Sequence, residues 1–302
     1  MEALLEAAVR LCLPLLIAAL GELVVERAGL INIGTEGMML CGAFAGYAAA
    51  VALGSPVAGV LGAAAVGLAI GSLFAFFAIV RRTDQIVVGT AINLLALGGT
   101  GLAARALFQG NAPSAPGFAP VAIPLLSDLP FLGPVLFRHT VYVYAGVALA
   151  VLIGVGLART RTGLRLRAVG ESARAADAQG VPVSGFRFAA VLVGAVLAAV
   201  AGSILTLAHS HVFTEGMTAG RGFIALTIVI FGRWSAPGVT LAALFFGAAV
   251  ALQHRVQARG FDIPYQLTLM LPYVLTLLVL AFASRGAGGP ADLGQAYRRE
   301  AK

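Results

Sequence analysis

The feature that most constrains this chain is the length of its uncharged runs. Residues 37–80 carry no charged side chain. The hydrocarbon core of a bilayer, about 30 Å thick, takes about 20 apolar residues as a helix. The run therefore predicts two crossings, separated at the sequence Leu53-Gly54-Ser55-Pro56. Five further uncharged runs each have the length of one crossing: 85–104, 140–158, 188–208, 235–253 and 263–284.

The overall composition leads to the same fold class. Hydrophobic residues make up 60% of the 302 residues and charged residues 11%, whereas soluble domains contain about 45–50% apolar and about 25% charged residues. Because so few charged side chains cannot cover a core of that size in water, we predict an all-α polytopic integral membrane protein. The same figures exclude a disordered chain, a coiled coil and a disulfide scaffold.

Two shorter apolar runs leave the number of crossings open. Residues 11–21 and 222–232 are each 11 residues long between charged positions, and at about 1.5 Å per residue each covers roughly half the core. Each is either a re-entrant segment or a full span with charged side chains that reach the interface. If 222–232 crosses, most of the 20 basic residues fall on one side, as the positive-inside rule requires. We therefore predict about nine crossings (8–10) in one domain over 1–302, with the N-terminus outside and the C-terminus inside.

Several chemistries are excluded by the residues present. The one lysine is Lys302, and a P-loop needs a lysine over the phosphates within its glycine-rich motif. Cys12 and Cys41 lie in apolar stretches and are interpreted as buried free thiols. The net charge of +7 is attributed to basic cytoplasmic loops rather than to nucleic-acid binding. We expect no catalytic residue, no metal and no cofactor in this chain.

Only two connections between the predicted spans are long. The external loop 109–139 is rich in proline, whereas 159–187 carries six arginines and is placed in the cytoplasm, like the tail 285–302. Within 159–187, the alanine-rich stretch 171–179 predicts a short surface helix that ends at Gly180. From the residues alone, this helix could bind anionic lipid or dock against another protein.

Polar side chains at membrane depth are the candidates for a transport pathway. Asn32 and Glu36 are four residues apart, so they share one face of a helix. Asn93 lies near the middle of the run 85–104, and Arg221 borders the run 222–232. Amides suit a neutral solute that forms hydrogen bonds, while a lone acid at this depth is a poor basis for a cation site.

Two alternatives remain for these polar residues. The asparagines could simply form interhelical hydrogen bonds, and Glu36 could cap a helix or pair with Arg27 or another arginine. The glycines within 29–37 lower helix propensity and predict that part of this stretch is unwound. Irregular backbone at that depth is tolerated where it lines a cavity or is buried in protein.

Three stretches in register resemble one known family. They are GELVVERAGLINIGTEGMMLCGAFAGY (21–47), GRGFIALTIVIFGRWSAPG (220–238) and ALQHRVQARGFDIPYQLTLMLPYVLTLLVL (251–280). They are similar to the permease subunits of bacterial ABC importers, in the superfamily of ribose-type sugar and branched-chain amino-acid permeases. Within it they most resemble the nucleoside permeases that work with basic membrane lipoprotein-type binding proteins. The resemblance covers nearly the whole chain.

The segment RAADAQG (174–180) resembles the coupling helix of such permeases, whose loose consensus is E-A-A-x-x-x-G. Arg174 stands where the consensus has glutamate, which puts in doubt any salt bridge that the glutamate would make. Small side chains would let the helix lie deep in a groove of the ATPase. The resemblance implies that the ATPase is contacted through Gly170, Glu171, Arg174, Ala175, Ala176 and Gly180.

The resemblance also implies a division of labour among subunits. This chain would form half of a nucleoside pathway in the bacterial cytoplasmic (inner) membrane, and a second, related permease would form the other half as a heterodimer. An ATP-binding subunit would supply energy, and an external substrate-binding protein or lipoprotein would deliver the solute. The alternatives are a simple sugar or a branched-chain amino acid as the solute, and, more remotely, a secondary transporter. A lipid-acting membrane enzyme would need a clustered site, for which His209 and His211 are weak evidence.

Overall fold

The computed structural model describes residues 2–109, 111–124, 127, 130, 132–258, 270, 272–278, 281 and 288–298. Seven helices in this part of the chain are long and apolar enough to cross a membrane, which confirms the all-α polytopic class. The helices are α1 (Glu2–Arg27), α2 (Thr35–Leu53), α3 (Pro56–Ala75), α4 (Gln85–Phe108), α5 (Leu132–Leu136), α6 (Val141–Arg159), α7 (Arg161–Glu171), α8 (Ala173–Ala178), α9 (Val183–Ile204), α10 (Arg221–Phe231) and α11 (Ala236–Ala258). Short π-helical turns, Phe76–Val80 and Leu205–Ser210, extend α3 and α9.

The long uncharged runs fold as predicted. The run 37–80 divides into α2 and α3 at Gly54, whose φ of 63° is the left-handed conformation that ends α2, and Pro56 begins α3. The runs 85–104, 140–158, 188–208 and 235–253 fall mainly within α4, α6, α9 and α11. The predicted span 263–284 lies outside the described residues, apart from 270, 272–278 and 281.

The first ambiguous run, 11–21, is part of a 26-residue helix, α1. This helix continues past the run and buries the carboxylates of Glu22 and Glu26, which are 2% and 3% exposed. The expectation that Glu36 is the lone acid at depth is therefore wrong. Buried carboxylates are tolerated here because each accepts at least one hydrogen bond, Glu22 from Asn32 and Thr35 and Glu26 from the Trp234 indole.

The second ambiguous run, 222–232, forms α10, which at about 1.5 Å per residue is roughly 16 Å long. The chain nevertheless runs from one face of the bundle to the other. On the loop face, which carries residues 111–124, the Ala115 amide donates to the His211 carbonyl (2.8 Å). On the arginine face, which carries α7 and α8, Arg27 donates to the Trp234 carbonyl (2.8 Å). Residues 211–220 are not helical, so α10 supplies only the second half of this passage.

Small residues let α9 pack closely against its neighbours. A Cβ on Gly42 of α2 would overlap the Ala199 backbone, and a Cβ on Gly202 would overlap the Met39 carbonyl. Such approaches between apolar helices are stabilised by van der Waals contact, which glycine permits at short range. On the loop face, β1 (Pro120–Ala122) pairs antiparallel with β2 (Arg138–Thr140).

Candidate functional site

Two non-helical segments lie within the helix bundle. We call residues 28–34, between α1 and α2, the first break, and residues 211–220, before α10, the second break. The prediction that part of 29–37 is unwound is confirmed for 29–34, whereas residues 35–37 begin α2. Each break exposes backbone groups that a helix would have paired, so the site is defined by what satisfies them.

A buried carboxylate of α1, that of Glu22, holds the first break. Glu22 Oε1 accepts a hydrogen bond from the Asn32 amide (3.0 Å), and its Oε2 accepts one from the Thr35 hydroxyl (2.9 Å). Asn32 is 1% exposed, and its Nδ2 lies 3.3 Å from Met38 Sδ, a weak acceptor. Its Oδ1 has no hydrogen-bond partner among the described residues. Asn32 therefore belongs to the support of the break and does not reach the surface.

A second support comes from α4. Asn93 Nδ2 donates to the Ile33 carbonyl (3.0 Å), and its Oδ1 accepts from the Gly37 amide (2.7 Å). One side chain thus pairs with the backbone on both sides of the start of α2. Asn93 is only half-buried, so one edge of the side chain stays accessible. The structure thus shows the alternative left open by the sequence, in which the polar atoms of Asn93 form hydrogen bonds between helical segments.

The second break is held by Glu36. Its two carboxylate oxygens accept hydrogen bonds from the Gly220 amide (2.7 Å) and the Gly222 amide (2.6 Å), at the N-terminus of α10. Negative charge is favourable there because the first amides of a helix lack intrahelical partners. Of the alternatives for Glu36, the structure shows the cap and not a pair with Arg27.

Arg221 turns back onto the second break. Its Nη1 donates to the carbonyls of Met217 (2.8 Å) and Thr218 (3.1 Å), and the Tyr273 hydroxyl donates to the Ala219 carbonyl. The structure therefore brings Asn32, Glu36, Asn93 and Arg221 to the two breaks. The side chains of Glu36, Asn93 and Arg221 pair there with backbone groups. In the described part of the chain, no cluster of three or more His, Cys, Asp or Glu side chains could hold a metal.

The loop-face end of the second break is clasped to α4 by an ion pair. Arg105 Nε lies 2.8 Å from Glu215 Oε1, and Arg105 Nη2 lies 2.8 Å from Glu215 Oε2. The two side chains are 75% and 46% exposed. The geometry is bidentate, but exposure to water and salt weakens its Coulomb energy.

The arginine face carries two short helices where one was expected. The predicted helix 171–179 is interrupted at Ser172, whose extended backbone (φ −157°) separates α7 from α8. The Ser172 hydroxyl accepts from the Ala175 amide (3.3 Å) and so caps α8. Helix α7 was not predicted, although Thr160 caps it in the same way by accepting from Gly163 (3.0 Å).

The end of α8 agrees with the sequence. Gly180 has φ +79°, and the Val181 amide donates to the Ala176 carbonyl (3.0 Å), which closes the helix as the glycine cap predicts. The predicted ATPase contacts divide into two groups. Gly170 and Ala176 are buried, and a Cβ on Gly170 would overlap the Arg27 carbonyl. The exposed ones are Glu171, Arg174, Ala175 and Gly180.

The part of the site that the sequence did not predict is the C-terminal strap, residues 288–298. Asp292 joins it to the junction of α7 and α8: its amide donates to the Gly170 carbonyl (3.0 Å) and its Oδ2 accepts from the Ala173 amide (2.7 Å). Gly294 joins it to the first break, since its amide donates to the Gly29 carbonyl (3.0 Å). The strap thus links the arginine face directly to the first break.

Comparison with known proteins gives a consistent set of relatives. A family model described as "Branched-chain amino acid transport system / permease component" matches residues 4–280. A Haloferax volcanii protein, provisionally named a glucose ABC transporter permease protein, is 36% identical over 98% of both chains. The guanosine ABC transporter permease protein of Bacillus subtilis is 35% identical over 94% of this chain and 92% of its own. The nucleoside ABC transporter permease protein of Lactococcus lactis is 37% identical over 92% of both. No solved structure matches.

Proposed function

Because this chain belongs to the family of branched-chain amino acid transport system permease components, we propose that it is the membrane-spanning subunit of an ATP-driven ABC importer. It is a transport component, and we propose that ATP hydrolysis takes place in a partner subunit. The observation that carries the proposal is the length of the similarity: the three relatives above, all named ABC transporter permeases, align with at least 92% of this chain.

We propose nucleosides as the solute. Two relatives from different bacteria are named for guanosine or nucleoside transport, at 35% and 37% identity. The glucose-named relative, at 36% identity, keeps a simple sugar as the second candidate. Both solutes are neutral and rich in hydroxyl groups, so amide and backbone groups of the kind found at the two breaks suit either. They differ in that a nucleoside carries a nucleobase and a simple sugar does not.

We propose that the pathway passes along the two breaks. Asn93, Glu36 and Arg221 are each partly exposed, and they border it while holding the backbone. Asn32 shapes the pathway indirectly, since its side chain is buried within the first break. Phe223 of α10, which is exposed, adds an apolar surface next to Gly222. A second, related permease would face these groups and complete the pathway.

We propose that the ATP-binding subunit docks on α8. Its exposed small residue, Ala175, and the capped turn at Gly180 leave room for close contact with a partner surface. An external substrate-binding protein or lipoprotein would meet the loop face. This arrangement makes 1–302 one permease domain in the cytoplasmic membrane, with 159–187 and 285–302 inside and 109–139 outside.

The docking proposal is tested with Ala175→Arg, because a long cation at this exposed position would block close contact without disturbing the spans. We expect loss of the co-purifying ATP-binding subunit and of uptake, with normal amounts of protein in the membrane. Ala175→Ser is the matched control and should behave like the unaltered chain. Normal uptake by Ala175→Arg would contradict the docking site.

The substrate is tested by uptake of labelled guanosine and labelled glucose in cells that express this chain with its partner subunits. We expect guanosine to accumulate, and an excess of unlabelled uridine, but not of glucose, to reduce that accumulation. Accumulation of glucose alone would establish the sugar alternative.

A further inference from the structure

A polar cavity of about 420 Å³ opens beside α8 on the arginine face. Its walls come from three parts of the chain: the start of α8, the first turns of α9 and the C-terminal strap. The lining side chains that can carry charge or hydrogen bonds are Ser172, Arg174, Arg187, Asp292, Gln295, Tyr297 and Arg298. The strap therefore forms one wall of this cavity in addition to its contacts with the helices.

The charge of the cavity is unbalanced. Among the described residues that line it are three guanidinium groups, those of Arg174, Arg187 and Arg298, and one carboxylate, that of Asp292. Asp292 already accepts a hydrogen bond from the Ala173 amide at 2.7 Å. A concave site with one sign of charge in excess concentrates groups of the opposite sign.

Arg187 is the buried member of the three, since it is only 3% exposed. It donates to two carbonyl oxygens, those of Ala28 (3.2 Å) and Gln295 (2.9 Å). Its Nη2 has no acceptor among the described residues. A buried cation is costly unless it is paired, and Asp292 supplies the opposite charge for Arg187. The excess positive charge of the lining therefore comes from Arg174 and Arg298.

We infer that this cavity receives an acidic side chain from the ATP-binding subunit. The inference rests on the proposed function, since it places that subunit on the exposed surface of α8. Arg174 lies on both the exposed surface of α8 and the wall of the cavity, so a partner docked on one covers the other. At about 420 Å³ the cavity admits a side chain together with part of the loop that carries it.

The test is the affinity of the purified permease for its ATP-binding subunit, measured at low and high salt. Reversing the charge at the exposed strap residue, in Arg298→Glu, should weaken binding roughly tenfold, the scale found for close charge pairs across interfaces. High salt should lower the affinity of the unaltered permease and reduce the difference in affinity between it and Arg298→Glu. Arg165→Glu is the matched control: an exposed arginine of α7 that does not line the cavity, with an expected change under about twofold.

A charge swap identifies the partner group. Acidic residues on the surface of the ATP-binding subunit are changed to arginine one at a time, and one of them should restore binding to Arg298→Glu. Equal, salt-independent binding by unaltered permease and Arg298→Glu would overturn the inference while leaving the importer assignment intact. The inference would also be overturned if adenosine monophosphate or inorganic phosphate bound the permease alone and Arg298→Glu abolished that binding. If the unaltered chain binds no ATP-binding subunit at all, the proposed function itself fails.

Discussion

Both breaks leave backbone groups that need hydrogen-bond partners, and different kinds of group supply those partners at each break. The first is held by Glu22, which is buried in the bundle, by the half-buried Asn93, and by the C-terminal strap through Gly294. The second is held by Glu36 and by an ion pair that is open to water, and three of its residues, Thr214, Glu215 and Ala219, are exposed. The comparison indicates that the first break is a fixed support and the second is the part that can rearrange.

The difference follows from what replaces a lost hydrogen bond. A buried donor without an acceptor costs about 1–3 kcal/mol, because water cannot reach it. At a partly exposed position, water substitutes at little cost. Substitutions in the first break should therefore act on folding, and substitutions in the second should act on transport.

The largest effect is expected for Glu22→Ala. It leaves the Asn32 amide and the Thr35 hydroxyl without this carboxylate, and both groups are buried. We expect a loss of about 1–3 kcal/mol in stability, because the buried Asn32 amide is left without an acceptor, whereas the Thr35 hydroxyl keeps the Asn32 carbonyl (2.7 Å). The loss is read as a lower thermal unfolding temperature in detergent. Glu22→Gln keeps one acceptor oxygen and should lose less. If Glu22→Ala unfolded at the same temperature as the unaltered protein, the first break would not be a fixed support.

A smaller loss of stability, but a larger loss of function, is expected for Glu36→Ala. The amides of Gly220 and Gly222 lose their acceptor, yet the site is half-buried and water can take its place. The start of α10 should then be less well positioned. Uptake per folded molecule and the unfolding temperature are measured together, with Glu36→Gln as the isosteric control. A fall in unfolding temperature as large as that of Glu22→Ala, with uptake per folded molecule unchanged, would remove the distinction between the breaks.

The spans could be predicted from sequence because one property, absence of charge over about 20 residues, decides them. The same rule fails in α1, where Glu22 ends the uncharged run and Glu26 follows it, although the helix continues to Arg27. Their partners explain why. Glu22 is satisfied by a backbone amide ten residues away, and Glu26 by the Trp234 indole, 208 residues away. No local pattern in the sequence encodes such pairs.

Some of the polar residues at the two breaks could be singled out from the sequence, but their partners could not. Polarity at depth singled out Asn93 and Glu36, yet both pair with backbone groups whose positions depend on where the helices stop. The strap had no signal at all, because residues 288–298 show neither helical nor strand periodicity. Its contacts at Gly29 and Gly170 lie far away in the sequence.

The smallest effect is expected for Arg105→Ala, which opens the clasp between α4 and the loop-face end of the second break. Because the pair is exposed, the unfolding temperature should stay within measurement error of the unaltered protein. Transport should change in a salt-dependent way, since screening weakens the clasp in the unaltered chain as well. Uptake at low and high ionic strength is compared for Arg105→Ala, Glu215→Gln and the pair of substitutions combined. If the clasp restrains the second break, the three variants should match one another and differ from the unaltered protein only at low salt. A stability loss comparable to that of Glu22→Ala would instead make the second break as much a part of the fixed framework as the first.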